Sequence, residues 1–172
     1  MPCNQTLSGL VRDCEPSMGG IAEAYIANFA DVTGVTVTTG KISAITMAST
    51  AKFKKYAFAK ATGNFTSNYA INAENGTKYV ETDILFVFTR METAKRVEIN
   101  ALAQGDLCVI VKDNNGLYWF FGKDEPVTAT AADASTGTAR SDRNGYSTTL
   151  RDNSKEFPFE VDADIIEDIV AA

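Results

Sequence analysis

One stretch of the chain, residues 65–89, limits the possible folds more than any other. Its side chains alternate along both halves, and the Asn75-Gly76 dipeptide separates the halves. A period of two is that of a β-strand, and Asn-Gly favours a tight turn between paired strands. The second half places these residues on one face: Val80, Thr82, Ile84, Phe86 and Phe88. The stretch therefore predicts a β-hairpin whose arms exceed the roughly 5–6 residues of an average strand.

The remaining strands are predicted from short runs rich in Val, Ile, Thr and aromatic residues, which Gly, Asn and Asp separate. They cover residues 21–28, 35–39, 42–47, 54–61, 107–112, 117–122, 127–137, 146–150 and 157–161. The run 107–112 has no polar face, which predicts a strand buried on both sides. No repeat or linker divides residues 1–172. The predicted fold class is a single mainly-β domain, a β-sandwich or barrel with one flanking α-helix and a long β-hairpin arm.

One α-helix is predicted over residues 90–104. Thr89 and Glu92 match the Thr-x-x-Glu capping box, in which each side chain accepts a bond from a backbone N–H of the other's turn. Gly105 predicts a left-handed residue that ends the helix. Apolar residues then recur at helical spacing, namely Met91, Ala94, Val97, Ala101 and Leu102. This face is only moderately apolar, so we expect the helix on the flank of a sheet.

The two ends of the chain differ from its middle. Residues 1–20, rich in Gly and Pro, predict an irregular N-terminal arm. Residues 162–172 form an acidic tail, and Ile165, Ile166 and Ile169 would share one side of a short amphipathic helix. No secretory signal and no apolar run near the roughly 20 residues of a membrane span are visible. We therefore expect synthesis in a cytoplasm and no membrane partner.

Composition argues against several functions. The formal charge of −6 disfavours general nucleic-acid binding and docking on an anionic membrane, because both need dense Lys and Arg. The chain has no histidine, which is the commonest general base and metal ligand. Cys3, Cys14 and Cys108 are isolated, and Cys108 lies in an apolar run where a small core residue is expected. The sequence thus predicts no enzyme: no catalytic residue, no cofactor and no metal site.

Three further motifs have structural explanations. The Asp-x-Asn-Gly sequences at 113–116 and 142–145 lack the additional acidic residues of a calcium loop, so they predict hairpin turns. The acidic residues of 162–168 predict a solvated face near a chain end, where catalytic groups are seldom held in place. The aromatic run 119–121 has no interleaved Lys or Arg, so it predicts core packing rather than base stacking.

Short motifs spread over most of the chain point to a family. They are Asp13-Cys14, Gly19-Gly20-Ile21 with Tyr25, Glu74-Asn75-Gly76-Thr77, Leu102-Ala103-Gln104, the run 109–116, Trp119, Gly122-Lys123, Thr136-Gly137 and Asn144-Gly145-Tyr146. In this combination the chain resembles virion structural proteins from phages of Bacteroidota. No single motif is diagnostic of an activity, so the resemblance rests on the whole set.

The predicted architecture also resembles phage tail tube proteins and the type VI secretion tube protein. In those families hexameric rings stack, and the inner strands of each ring join into a continuous channel. The resemblance implies a tail tube subunit made in the bacterial host cytoplasm and assembled into the virion tail. Its partners would be copies of itself, other tail proteins, and phage DNA that passes through the lumen without specific binding. An acidic lumen would suit this passage, because like charges prevent arrest.

The hairpin is longer than a small domain needs, so we predict that it reaches a neighbouring subunit. The N-terminal arm and the C-terminal tail would bridge rings. The predicted contact residues are Phe65, Tyr69, Tyr79 and Val80 in the hairpin, and Ile165 and Ile169 in a docking face of the tail.

Three alternatives stay open at the level of the sequence. A head–tail connector ring or a capsid decoration protein would form a closed ring or trimer that does not stack. A carbohydrate-binding β-sandwich would expose Tyr or Trp on a concave face, and burial of Trp119 would count against it. An enzyme would need a cleft with two carboxylates of shifted pKa, and the sequence offers no clear pair.

Overall fold

The computed structural model describes residues 6–171, and its two sheets confirm the predicted mainly-β sandwich. The strands are β1 Ile21–Asn28, β2 Val32–Thr38, β3 Lys41–Met47, β4 Lys54–Ala57, β5 Asn64–Asn72, β6 Thr77–Thr89, β7 Leu107–Asp113, β8 Tyr118–Phe121, β9 Thr128–Ser135, β10 Gly145–Ser154 and β11 Phe159–Val161. The helices are α1 Thr93–Gln104 and the single turn α2 Ile166–Ile169, with 3-10 turns at Phe29–Asp31 and Ala163–Ile165.

The strands form a seven-stranded and a four-stranded sheet. The larger sheet has the order β2-β3-β11-β8-β7-β1-β4, and the smaller has the order β5-β6-β10-β9. Pairing is antiparallel except between β11 and β3. Within residues 6–171, the free edges are therefore β2 and β4 in the larger sheet and β5 and β9 in the smaller one.

Two apolar cores lie on opposite faces of the larger sheet. The main core fills the space between the sheets and includes the inward residues of β6, among them Ile84 and Phe86. The second core lies on the outer side of the larger sheet, where Ile166 and Ile169 of the C-terminal segment cover it. Strand β7 contributes alternate residues to both cores. This confirms the prediction, made from its unbroken apolar run, of a strand buried on both faces.

The predicted capping box of helix α1 is wrong. The helix begins after Glu92, whose side chain caps no backbone N–H and instead pairs with Arg90 at 3.0 Å and Lys95 at 3.8 Å. Arg90 has a left-handed backbone with φ of 65°, which turns the chain out of β6 before the helix starts. Asn144 holds this turn: its carbonyl accepts the Arg90 N–H at 2.6 Å, and its side chain accepts the Met91 N–H at 3.2 Å.

The buried face of α1 also differs from the predicted one. Ile99 and Leu102 are buried in the main core, whereas Val97 is 55% exposed. Gly105 does end the helix, but its backbone is extended rather than left-handed, with φ of −90°. A Cβ at this position would lie 3.1 Å from Leu107 Cδ2 and 3.2 Å from the Ala101 carbonyl oxygen. Close packing, not a left-handed turn, therefore explains this glycine.

The lengths of β4 and β10 differ most from the predicted ones. The strand predicted over residues 54–61 ends at Ala57, although Phe58 still packs on the main core. Its ring lies over Gly63, where a Cβ would approach within 2.7 Å. Strand β10 continues to Ser154, because β6 pairs with it along its whole length although residues 151–154 are polar.

Candidate assembly surfaces

The long hairpin is largely part of the body of the protein. Strand β6 pairs with β10 from Val80 to Thr89, and β5 pairs with β6 along all nine of its residues. Only the tip, from Ala70 to Tyr79, extends past the end of β10. The predicted arm is therefore shorter than expected, because a neighbouring strand of the same chain covers most of it.

The tip turn matches the predicted Asn-Gly turn. Gly76 has a positive φ of 73°, which a residue without Cβ adopts without strain. The Asn72 side chain accepts the Glu74 N–H at 3.0 Å, and the Asn75 side chain accepts the Thr77 N–H at 3.0 Å. These bonds hold the tip rigidly at the end of the sheet.

The four predicted hairpin contacts divide into two groups. Phe65 is half-buried, with its ring 5.2 Å from that of Phe121, and Val80 is fully buried in the same sandwich. Val80 is therefore enclosed by its own chain, whereas Phe65 keeps part of its surface exposed and its predicted contact stays a prediction. Tyr69 and Tyr79 are 43% and 39% exposed. Their predicted contacts with a neighbouring subunit stay predictions.

Tyr69 belongs to an exposed apolar patch on the inward side of the tip. Its ring lies 5.7 Å from that of Phe157, which comes from the loop between β10 and β11 and is 53% exposed. Ile71, two residues along the same face of β5, is 64% exposed. We call Tyr69, Ile71 and Phe157 the tip patch.

The C-terminal isoleucines have a role within the chain. Ile169 is 6% exposed and Ile165 is half-buried, and both pack on the second core. The Phe53 N–H donates to the Ile169 carbonyl at 2.9 Å, and the Ala171 N–H donates to the Phe53 carbonyl at 2.9 Å. Within their own chain these residues cover the outer side of the larger sheet, and their predicted contact with a neighbour stays a prediction.

The four-stranded sheet has two open edges of similar length. Strand β5 has nine residues and β9 has eight, and among the described residues each pairs on one side only. Antiparallel pairing through four strands makes β5 and β9 run in opposite directions. Helix α1 packs near β9 through Ile99 and Leu102, which share a core with Ala129.

The outer face of this sheet carries mainly short polar side chains. Directly opposed pairs share a face, so Arg151, Asp83 and Glu81 lie together on it. Arg151 makes two bonds to Asp83 at 2.8 and 2.9 Å and pairs with Glu81 at 2.5 Å. Asp133 of β9 lies on the same face, opposite Ser147. The strand residues of this outer face therefore carry three carboxylates and one guanidinium, which gives the face a net negative charge.

Cys108 is a core residue, as its sequence context predicts. Its thiol donates to the Gly122 carbonyl at 3.3 Å, and burial raises its pKa to about 12. The thiol is therefore protonated near neutral pH and is a poor nucleophile. Cys14 is exposed in the arm, and Cys3 lies outside the described residues.

One buried carboxylate was not found from the sequence. Asp152 is 2% exposed and points into the sandwich, where it accepts the Gly122 N–H at 2.9 Å. Burial is the main cause that raises its pKa, and the nearby charges of Asp124 and Glu125 raise it further. The polar run 151–154 looks like a turn in the sequence, so only the register of β10 against β6 reveals that this residue faces inward.

The first Asp-x-Asn-Gly motif forms the predicted turn and also anchors the arm. Asp113 accepts the backbone N–H groups of Asn115 and Leu117 and the Trp119 indole N–H. Asn115 exchanges two bonds with the backbone of Met18, at 2.8 and 3.0 Å. Asn114 donates to the Gly19 carbonyl at 2.6 Å. The anchoring role of these two asparagines has no signal in the sequence.

Within residues 6–171, no cluster of three or more Cys, Asp or Glu side chains has the arrangement of a metal site. No helix in the same range is both long and apolar enough to cross a membrane. Comparison with known proteins gives no match: neither a protein-family model, nor a curated protein, nor a solved structure is significantly similar to this chain.

Proposed function

We propose that this chain is a self-assembling structural subunit of the phage tail tube type, whose four-stranded sheet closes into a ring with copies of itself. The observation that carries the proposal is the pair of open edges β5 and β9, which have matching lengths. The sequence motifs are the basis for proposing a phage protein, and the open edges β5 and β9 are the basis for proposing a ring.

Open strand edges favour such an association. Each edge presents a row of unpaired N–H and C=O groups, which pair readily with another strand. Because the sheet has an even number of strands, β5 of one copy meets β9 of the next in antiparallel orientation. The contact is head-to-tail, and a closed ring leaves no edge free.

The resulting ring would enclose a wide channel. Six copies, the number that the resemblance implies, contribute 24 strands. At a strand spacing near 4.8 Å and a usual tilt, such a barrel has a backbone diameter of about 45 Å. The outer face of the four-stranded sheet then lines the lumen, where its three carboxylates repel DNA phosphates and its single Arg151 is already paired.

The tip patch supports the same contact. Tyr69 and Ile71 lie on β5 itself, so a strand added to this edge would cover them together with Phe157. Trp119, in contrast, is half-buried and bonded to Asp113 at 3.1 Å. That position counts against a sugar-binding surface built on this indole.

The proposal predicts that charges on the tip patch prevent ring formation. In the double variant Tyr69→Lys/Ile71→Lys, burial of two unpaired ammonium groups would cost about 3 kcal/mol or more. We expect ring assembly to need at least about a hundredfold higher concentration. Negative-stain microscopy and sedimentation velocity over a concentration series measure the protein concentration at which rings form.

Val37→Lys/Leu117→Lys is the matched control, because both residues are similarly exposed and lie outside the four-stranded sheet. It should assemble like the wild type. Equal assembly of the tip-patch variant would show that this edge is not the contact. A wild type that stays monomeric at all concentrations would refute the assembly itself, whereas closed rings that never stack would favour a connector.

A further inference from the structure

The arm from Thr6 to Gly20 exposes apolar residues that no other part of the described range 6–171 covers. It contains no helix or strand, and Leu7, Leu10 and Val11 are 89%, 103% and 97% exposed. Isolated exposed residues of this kind are ordinary, but three within five positions of one extended segment form a ligand-like motif. Arg12 and Asp13 follow them directly.

A cleft of about 280 Å³ lies between helix α1 and the end of strand β1. Its floor is apolar and is formed by Ile26, Leu102 and Leu107, each of them buried. Its rim carries charges of both signs, on Lys52, Lys54, Asp31 and Glu98. An apolar floor with a mixed charged rim matches the arm, in which aliphatic residues precede one basic and one acidic side chain.

The anchor of the arm and the cleft lie at opposite ends of the sandwich. Asn114 and Asn115, in the turn after β7, anchor the arm at Met18 and Gly19 beside the start of β1. The cleft lies at the end of β1 and at the start of β7. The two are thus separated by the length of β1, about 25 Å for its eight residues.

We propose that the arm of one copy docks in this cleft of another copy, with Leu7, Leu10 and Val11 on the apolar floor. Because the anchor of the arm and the cleft lie at opposite ends, a docked pair leaves one arm free at one end and one cleft free at the other. Repetition of this contact along the strand direction generates an open stack rather than a closed pair. The inference deepens the proposed function: it rests on ring formation and names the contact that joins successive rings.

The first test separates stacking from ring formation. In Leu7→Asp/Leu10→Asp/Val11→Asp, we expect rings to form as in the wild type, while stacking needs at least about tenfold more protein. The control Thr6→Asp/Ser8→Asp/Ser17→Asp adds the same charge to the arm and keeps its apolar residues, so it should stack normally. Negative-stain microscopy counts single and stacked rings. Normal stacking of the first variant would overturn the inference and leave the proposed function intact.

The second test locates the arm by disulfide cross-linking in full-length protein with Cys3 and Cys14 changed to Ser. A tagged Leu10→Cys protein is mixed with untagged Ala101→Cys protein, since Ala101 lies at the cleft. We expect at least about tenfold more mixed dimer than with Ser141→Cys, an exposed loop position. Absence of that excess while rings form would overturn the inference.

A chain that carries both Leu10→Cys and Ala101→Cys is tested separately. Cross-linking that occurs only within this chain, and not between copies, would also overturn the inference. Monomers at every concentration would overturn the proposed function as well.

Discussion

At the residue scale, the least expected feature is the burial of Asp152 inside an otherwise apolar sandwich. The carboxylate has one backbone donor, Gly122, and its neighbours Asp124 and Glu125 carry the same charge. A buried charge without a cationic partner lowers stability. Gly122 itself cannot be replaced freely, because its φ is 90° and a Cβ would lie 3.0 Å from the Leu107 carbonyl oxygen. Together these residues hold the loop after β8 against β10.

Substitution of this carboxylate should stabilise the protein. A pKa that is higher in the folded than in the unfolded state means that folding favours the protonated form, so the group costs stability once it ionises. The cost grows as the pH rises through the folded pKa and is absent below the unfolded one. Asp152→Asn keeps an oxygen acceptor for Gly122 without the charge. We expect a gain on the order of 1 kcal/mol near pH 7, the low end of the usual cost of a poorly satisfied buried polar group.

Urea unfolding of both proteins between pH 4 and pH 8 measures this difference. The stability gap should narrow as the pH falls, because the wild-type carboxyl takes up its proton. Asn153→Ala, the exposed neighbour on the other face of the same strand, controls for general loosening of β10. A variant that is less stable than the wild type throughout this range would contradict the account.

At the scale of single elements, contacts from distant parts of the chain decide where the elements begin. The capping motif at Thr89 and Glu92 is present in the sequence, but Thr89 remains in β6, paired with Gly145. Thr89 therefore pairs with β10 and does not cap the helix. Asn144, just before β10, supplies the acceptors that the start of the α1 segment needs.

This arrangement gives opposite predictions for two alanine substitutions. Asn144→Ala removes the side-chain acceptor of the Met91 N–H and should destabilise the protein by about 1 kcal/mol, the usual net contribution of one hydrogen bond. Thr89→Ala should cost less than about 0.5 kcal/mol, because its side chain caps nothing and is exposed. Thermal unfolding and amide exchange of residues 93–96 measure both. A larger loss of stability for Thr89→Ala than for Asn144→Ala would indicate that the capping box does form.

At the scale of the whole molecule, the two cores share the larger sheet, and the C-terminal segment closes the second core. Ile166 and Ile169 are each 6% exposed there. A sheet buried on both faces needs such a cover, because its strands are apolar on both sides. The acidic residues of the segment then lie on its exposed side.

Loss of this cover should destabilise each subunit by itself. Ile169→Ala leaves a cavity in the second core and should cost about 2–4 kcal/mol. Glu167→Ala, on the exposed side of the same turn, should change stability by less than about 0.5 kcal/mol. Urea unfolding at several protein concentrations measures both. A loss that appears only at concentrations where copies associate would indicate a docking face instead.

The sequence by itself determined the mainly-β class, most strand positions, the hairpin turn at Asn75-Gly76 and the double-sided burial of β7. These follow from local patterns, since side chains alternate along a strand and turn residues set the backbone. The start and buried face of α1, the inward position of Asp152, the anchoring of the arm by Asn114 and Asn115, and the role of Ile165 and Ile169 were decided only by the tertiary structure. Each of these depends on which distant segment lies opposite. That pairing depends on the register and packing of whole sheets, which no short stretch of sequence encodes.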